Sequence, residues 1–519
     1  MEELTQLKEE IRILRSMVEQ QKEQIEVLKK ENEWYIEQLK LRAKEKFGAS
    51  SEKATPGQMT FPDLFNEAET LREMVTPEPP EELIIPEHRR KKKRRGSGFG
   101  SLPVEVIEYR IDDDKLICGQ CGNRLEVMKK ETRRELVVIP AEVKVVEHVT
   151  YSYSCRNCDR NGIKGTILEA EHPKALIAKS FVSPSLMADI MHKKYTMSLP
   201  LYRQEQDYKR LGIDLSRQNL SAWIIKGAGL LRPLYAGLKE SLLGEELLHA
   251  DETTLEVLRE PGRPAPTKSY MWVYRTSRSC SHPVILYDYT EGRSGDYAKR
   301  FLKGWKGNYL HCDGYSGYGK LEDVTLCGCL VHAKRKFHEA LSVSPENKTA
   351  EKGENYIQKL FAIEKQADKK GISLEERYRL RQDVSKKVME EFYGWLTEIY
   401  PRILPKSLVG KAVTYALNQK EHLCSFLKDA RIQLSNNLAE QSVKPFVLGR
   451  KNWLFSNTPN GADASAIIYS VIQTAVANDL NPQKYLEYVF DCIKEEQDII
   501  RYLPWSDELP EKVKRPSKD

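Results

Sequence analysis

Residues 246–258 read ELLHADETTLEVL. Apolar side chains dominate the stretch, and one acid, Asp251, is set among them, so it reads as a strand with a carboxylate held inside it. Working outward, SYMWVYRTS (269–277) and PVILYDYTEG (283–292) follow as two more strands, and RSGDYAKRFLKG (293–304) as a helix. NYLHCDGYSGY (308–318) reads as a fourth strand ending at Asp313, with a turn through Gly314 and Gly317. VTLCGCLVHAKRKFHEAL (324–341) is a fifth strand that runs into a helix, and its Cys327 and Cys329 read as core.

Three successive antiparallel-type strands followed by alternating helix and strand match a ribonuclease-H-like layered α/β domain. Within it, Asp251 and Asp313 each sit on an otherwise apolar strand. A buried carboxylate is costly unless it is paired or bound to metal. Two on neighbouring strands repel each other, and divalent cations would relieve the repulsion and create an active site. The alternative is that each acid caps a turn or pairs with a nearby cation.

The whole chain has 519 residues, of which 40% are hydrophobic, with a mean hydropathy of −0.57. That is material for several cores and too polar for an integral membrane protein. No apolar run approaches the ~18 residues a membrane span needs. The opening MEELTQLKEE lacks a basic segment followed by an apolar one, so no signal peptide is expected and a cytoplasmic location is. The ten cysteines are then expected to stay reduced. The net charge of +6 is unevenly spread. Residues 1–80 hold 12 basic and 17 acidic side chains, residues 81–240 hold 29 and 21, and the remainder holds 41 and 38.

The acidic first segment (1–47) carries a heptad. With Leu4 at position a, the a series is Leu4, Ile11, Val18, Ile25, Asn32, Leu39 and the d series is Leu7, Leu14, Gln21, Leu28, Tyr35, Arg42. β-Branched residues at a with Leu at d favour a parallel two-stranded coiled coil, and a single Asn at a fixes register. A homodimer or higher oligomer through this zipper is expected; the alternative is a solitary amphipathic helix. Residues 48–100 form a linker rich in Pro and charge. It contains Arg89, Arg90, Lys91, Lys92, Lys93, Arg94 and Arg95, a run suited to sequence-independent phosphate binding or to serving as a solvated tether.

Residues 101–172 contain Cys118-Gly-Gln-Cys121 and Cys155-Arg-Asn-Cys158, two C-x2-C pairs 33 residues apart with strand-like sequence between them. Thiolates so spaced can share one tetrahedral Zn²⁺, which makes a zinc-ribbon-like module whose metal is structural because four ligands close it. Residues 173–243 are helix-rich. LYRQEQDYKRLG ends on Gly212, and a second helix opens at Ser216 with Arg217, Gln218 and Asn219. That is a helix-turn-helix arrangement able to present those three side chains to base edges, with Leu220, Trp223 and Ile224 inward; a plain helical hairpin is the alternative.

HADETT, CDGYSGY and SNNLAEQSVKPFVLGRKNWLFSNTPNGADASAIIYSVIQT together resemble the DDE transposases of the insertion-sequence-66 family. The likeness extends over most of the chain, through FGASSEK, the four-cysteine unit, KYTMSLPLYRQEQDYKRLGIDLS and NPQKYLEYV. It implies a multidomain α+β chain with a catalytic domain over 244–478, a helical insertion at about 345–430 and a C-terminal tail over 479–519. It implies that Asp251, Asp313 and Glu440 hold two Mg²⁺ (or Mn²⁺) ions, Asp251 bridging both, for cleavage of the element's terminal inverted repeats and strand transfer into target DNA. His332, Lys334, Arg335, Lys336, Lys444, Arg450 and Lys451 are then candidates to lie near DNA, although a packed histidine is an equal reading of His332. Trp453 and Phe455 read as core, with an aromatic wedge against DNA as the other reading. Accessory proteins encoded by the same element are typical of the family. The sequence departs from the family pattern at Ser435, Gln441, Lys444 and Leu330, none of them a triad carboxylate. The competing class is a non-catalytic, sequence-specific DNA-binding regulator derived from a transposase.

Overall fold

The computed structural model describes residues 174–265 and 267–515, together with 11–12, 14–25, 28–29, 31–32, 34–36, 38, 143–148, 152–154 and 167–169. Two compact units divide the chain: one comprises 1–76 and 175–513, the other 77–174 and 514–519. In the second unit, β1 (Ser152–Ser154) and β2 (Ile167–Glu169) pair antiparallel, Ser152 opposite Glu169. The basic run at 89–95 and Cys118, Cys121, Cys155 and Cys158 lie outside the described residues. The described residues between 11 and 38 are helical, and the heptad side chains Ile11, Leu14, Val18, Ile25, Leu28 and Tyr35 are all exposed in the single chain.

From residue 175 onward the larger unit opens with four helices: α1 (Pro184–Tyr195), α2 (Leu201–Arg210), α3 (Arg217–Leu230) and α4 (Arg232–Leu243). The Ser183 hydroxyl accepts from Leu186 N ahead of Pro184, so the start of α1 combines a side-chain cap with a residue that needs no N–H partner. Gly212 takes a φ of +79° just after α2, a conformation few side chains tolerate, and the chain turns there. Ser216 then caps α3 by accepting from Asn219 N. Leu220, Trp223 and Ile224 face inward as expected.

Five strands form one mixed sheet in the order β5-β4-β3-β6-β7. They are β3 (Leu247–Glu256), β4 (Lys268–Thr276), β5 (Ile285–Thr290), β6 (Tyr309–His311) and β7 (Thr325–Cys327). β3, β4 and β5 are an antiparallel meander, whereas β6 and β7 add parallel on the other side of β3. α5 (Gly295–Phe301) links β5 to β6, and α6 (Leu330–Val343) follows β7. Helices α7 (Lys348–Lys370), α9 (Lys386–Ile399) and α10 (Leu408–Asn418) then form a separate apolar cluster with α6, whereas the intervening α8 (Leu374–Leu380) buries no side chain.

The chain returns to the sheet with α11 (Asn437–Trp453), α12 (Pro459–Ala477) and α13 (Pro482–Lys494). Twelve of the nineteen residues of α12 are buried. Its polar ones cover the free edge of β5: Ile285 N donates to Thr474 Oγ1 at 3.0 Å and Tyr287 N to Ser470 Oγ at 2.7 Å. Those two N–H groups are thereby closed to a foreign strand. No helix among the described residues is long and apolar enough to cross a membrane.

Three local expectations change. β6 stops at His311, so Asp313 stands two residues beyond the strand, where its Oδ1 accepts from Tyr315 N at 2.9 Å and starts the turn. Cys329 is buried but is not a strand residue; it is the N-cap of α6. Phe455 is 42% exposed rather than core, because Leu454 ends α11 at a φ of +65° and turns the chain outward.

Candidate active site

The parallel pairing of β3 and β6 sets His249 opposite His311. Asp251 follows two residues later on β3, on the same face as His249, and Asp313, two residues past the end of β6, lies close enough for its charge to act on Asp251. The imidazole rings stack at 5.0 Å between centroids and 8° between planes. Burial pushes both well below the ordinary histidine range, His311 to about 4, so both are neutral at physiological pH. His249 Nδ1 donates to Asn436 Oδ1 at 2.9 Å and His311 Nε2 to the Gln433 carbonyl at 2.9 Å.

Glu440 arrives on the first turn of α11, with its side chain almost fully buried. Asn436 fixes that helix to the sheet. Its Nδ2 donates to Ala250 O at 2.8 Å, next to Asp251, and its backbone N–H donates to Cys329 Sγ at 3.3 Å. Although Asn436 stands at the N-cap, its side chain makes no cap bond.

The electrostatics are those of crowded acids. Burial raises the Asp251 carboxyl well above the ordinary range, and the charges of Glu252, Glu440 and Asp313 raise it further. Burial also raises Glu440, with Asp313 adding to the effect and His332 and Arg335 opposing it. Glu252, which the sequence reading passed over, is raised by burial and by Asp313. Tyr318 OH donates to it at 2.6 Å and Arg293 Nη2 lies 2.6 Å away. The same Arg293 nitrogen is 4.0 Å from Asp313 Oδ2, and the guanidinium lies 4.0 Å over the Tyr315 ring. Arg293 had no motif to announce it; its only sequence signal was its place in the chain between Asp251 and Asp313.

His332 Nδ1 lies 3.9 Å from Glu440 Oε1. Burial pulls this imidazole down, but hydrogen bonding to Cys329 and the charges of Cys329 and Glu440 outweigh burial and push it up to about 10. Among the described residues, Cys329, His332 and Glu440 bring potential ligand atoms within 4.8 Å of one another.

The other cations read from sequence are divided. Arg335 lies near enough to Glu440 for their charges to interact. Lys334 pairs with Glu354 at 3.5 Å, and Lys336 lies over the Tyr415 ring at 4.9 Å. Arg450 donates to Thr253 and Thr254 Oγ1, which ties α11 to β3. Lys444 and Lys451 are half-buried on α11. Arg217, Gln218 and Asn219 are exposed at the start of α3, where Arg217 N also donates to Glu205 Oε1 at 2.9 Å.

A mixed sheet and a neighbouring helix bring three acids together, in a chain whose sequence also carries two C-x2-C pairs. Comparison with known proteins makes this specific. The family described as "Transposase IS66 family" matches residues 179–464, and the "zinc-finger binding domain of transposase IS66" matches 115–159. "Transposase C of IS166 homeodomain" matches 34–107. The chain belongs to the IS66 transposase family. Among its relatives is uncharacterized protein y4hP of Sinorhizobium fredii (strain NBRC 101917 / NGR234), 30% identical over 412 residues that span 75% of this chain and 72% of that protein. Uncharacterized protein y4jD of the same organism is 30% identical over 80% of this chain and 83% of its own length.

Proposed function

We propose that the chain is a DNA transposase that binds the terminal inverted repeats of its own element, cleaves DNA strands there and joins them to a target. Asp251, Asp313 and Glu440 are its catalytic carboxylates. The observation that carries this reading is that Glu440 and Asp313, from separate elements, both act on the buried Asp251 and oppose its ionisation. Acids kept at such a cost call for divalent cations, and their oxygen donors suit Mg²⁺ or Mn²⁺. The meander of three antiparallel strands with two parallel additions supports a ribonuclease-H-like catalytic layer. The zinc-finger match supports Zn²⁺ on Cys118, Cys121, Cys155 and Cys158.

Asp251 on β3 and Asp313 past β6 would hold the ions from the sheet side, and Glu440 from α11. Bound cations would supply Lewis-acid stabilisation of the charge that builds on the transferring phosphoryl group. Asn436 keeps the helix carrying Glu440 in register with the strand carrying Asp251. His332 and Arg335 bring positive charge to the side of Glu440 where a scissile phosphate would approach. The exposed start of α3 would read base edges, and the basic run at 89–95 would grip phosphates without regard to sequence. The exposed heptad side chains would pair two chains, and proteins encoded by the same element would assist.

The test is nicking and joining of a duplex carrying the element's ends by purified protein with Mg²⁺. Wild-type activity lost in Asp251→Asn supports the reading. Sequence-specific binding by the wild type without cleavage, across divalent metals and with the element's other proteins present, would replace it with a DNA-binding regulator.

A further inference from the structure

Cys329 and His332 have no part in an all-oxygen magnesium site, yet both converge on Glu440. We propose that Cys329, His332 and Glu440 together form a binding site for a transition-metal ion of the zinc class, distinct in donor chemistry from the hard-cation site of the three carboxylates. The proposal shares Glu440 with the transposase reading and otherwise rests on geometry alone.

The donors belong to two helix starts. Cys329 is the N-cap of α6 and His332 lies three residues on, so one turn presents sulfur and imidazole to the same side. Glu440 occupies the first turn of α11. Asn436, the residue before α11, donates its backbone N–H to Cys329 Sγ at 3.3 Å, so the same residue orders the sulfur and the helix bearing the carboxylate. Outer-shell bonds of that kind orient the ligands of metal sites.

The spacing suits one ion. Two donors each about 2.0–2.3 Å from a zinc ion stand at most about 4.6 Å apart, so a set within 4.8 Å closes on it with small side-chain rotations. Sulfur and imidazole select Zn²⁺, Co²⁺ or Fe²⁺ over Mg²⁺, and three protein ligands leave one position open. On binding, the Cys329 thiol would release its proton to solvent and His332 would bind through a neutral imidazole nitrogen. A zinc-class ion here would draw Glu440 away from magnesium, so occupancy would regulate the neighbouring carboxylates.

The experiment uses the full chain, stripped of metal and reloaded with Co²⁺, in wild type, Cys329→Ser and His332→Ala. The four paired cysteines contribute equally to all three. The wild type is expected to take up one more equivalent of cobalt than either variant, and the near-ultraviolet sulfur-to-cobalt band is expected to weaken in Cys329→Ser by one sulfur's share. Melting temperatures check folding, with Glu440→Gln as a third variant that leaves sulfur and imidazole in place. Equal uptake and superimposable spectra in wild type and folded variants overturn the site. A wild type that cleaves DNA with Mg²⁺ but shows no extra equivalent loses this inference and keeps the transposase reading; extra uptake by a chain that never cleaves does the reverse.

Discussion

Buried charge is handled in opposite ways in two parts of this molecule. In the helical insertion, Arg381 is 2% exposed and fully partnered. Its Nε and Nη2 donate to the two oxygens of Glu364 at 2.8 and 3.0 Å, and its Nη1 to the carbonyls of Phe426 and Asp429 at 2.8 and 2.9 Å. Arg377 adds a second bond to Glu364 at 2.5 Å. Around Asp251 the neighbours are acids, and the bond it accepts from Glu252 N at 2.8 Å does not offset them. The first cluster is arranged for folding. The second is a stability cost that the fold tolerates, as the proposed catalytic role would require.

The largest expected effects separate the two directly. Asp251→Asn should lower DNA cleavage by about three orders of magnitude or more. In metal-free protein it should leave the melting temperature unchanged or raise it. The sign follows from the raised carboxyl: the folded state prefers the protonated acid, so ionising it costs stability as pH rises above the ordinary carboxylate range, and Asn removes that cost. Glu364→Gln should instead destabilise by about 3–5 kcal/mol in denaturant titration, since it strands a buried guanidinium. Equal destabilisation by both would erase the contrast.

Asn436→Ala comes next. It strips the partners from Ala250 O and His249 Nδ1, both in the sheet interior, and should cost about 2–6 kcal/mol, given about 1–3 for each buried group left unsatisfied. Cleavage should fall in the fraction that stays folded, because Glu440 loses its tie to the strand of Asp251. A loss under 1 kcal/mol would show that α11 is held by packing alone.

The five strands, the helix start at Ser216 and the helix after β7 were legible because each is a local pattern. Asn436 and Cys329 were not legible. Asn before a helix reads as a cap, but its amide groups are taken by residues almost two hundred positions away, and sequence spacing carries no sign of that. Cys329 follows an apolar strand and reads as core; only α11, arriving after the insertion, turns it toward Glu440. Glu252 drew no reading at all, because its partners Arg293 and Tyr318 lie 41 and 66 positions away. Each missed partner depends on a contact made across the insertion or between strands, where periodicity gives no register.

The smallest expected effect concerns His332, the titratable cation among the acids. Its imidazole is pushed up to about 10, so in metal-free protein the proton it gains on folding stabilises the fold. That contribution is complete below about pH 6.5, the ordinary histidine value, and fades as pH climbs toward about 10. His332→Ala should therefore melt below wild type at pH 6, and the gap should narrow steadily as pH is raised. The imidazole is partly open to solvent, which screens the interaction and keeps the effect smaller than those above. Glu364 and Arg381 provide the control, because their bonds are independent of a histidine proton: the deficit of Glu364→Gln should not track His332 over the same range. A His332→Ala gap that stays constant from pH 6 to 10 would mean that the imidazole is held by packing, and that the acids around Asp251 lack the proton-borne cation that now tempers them.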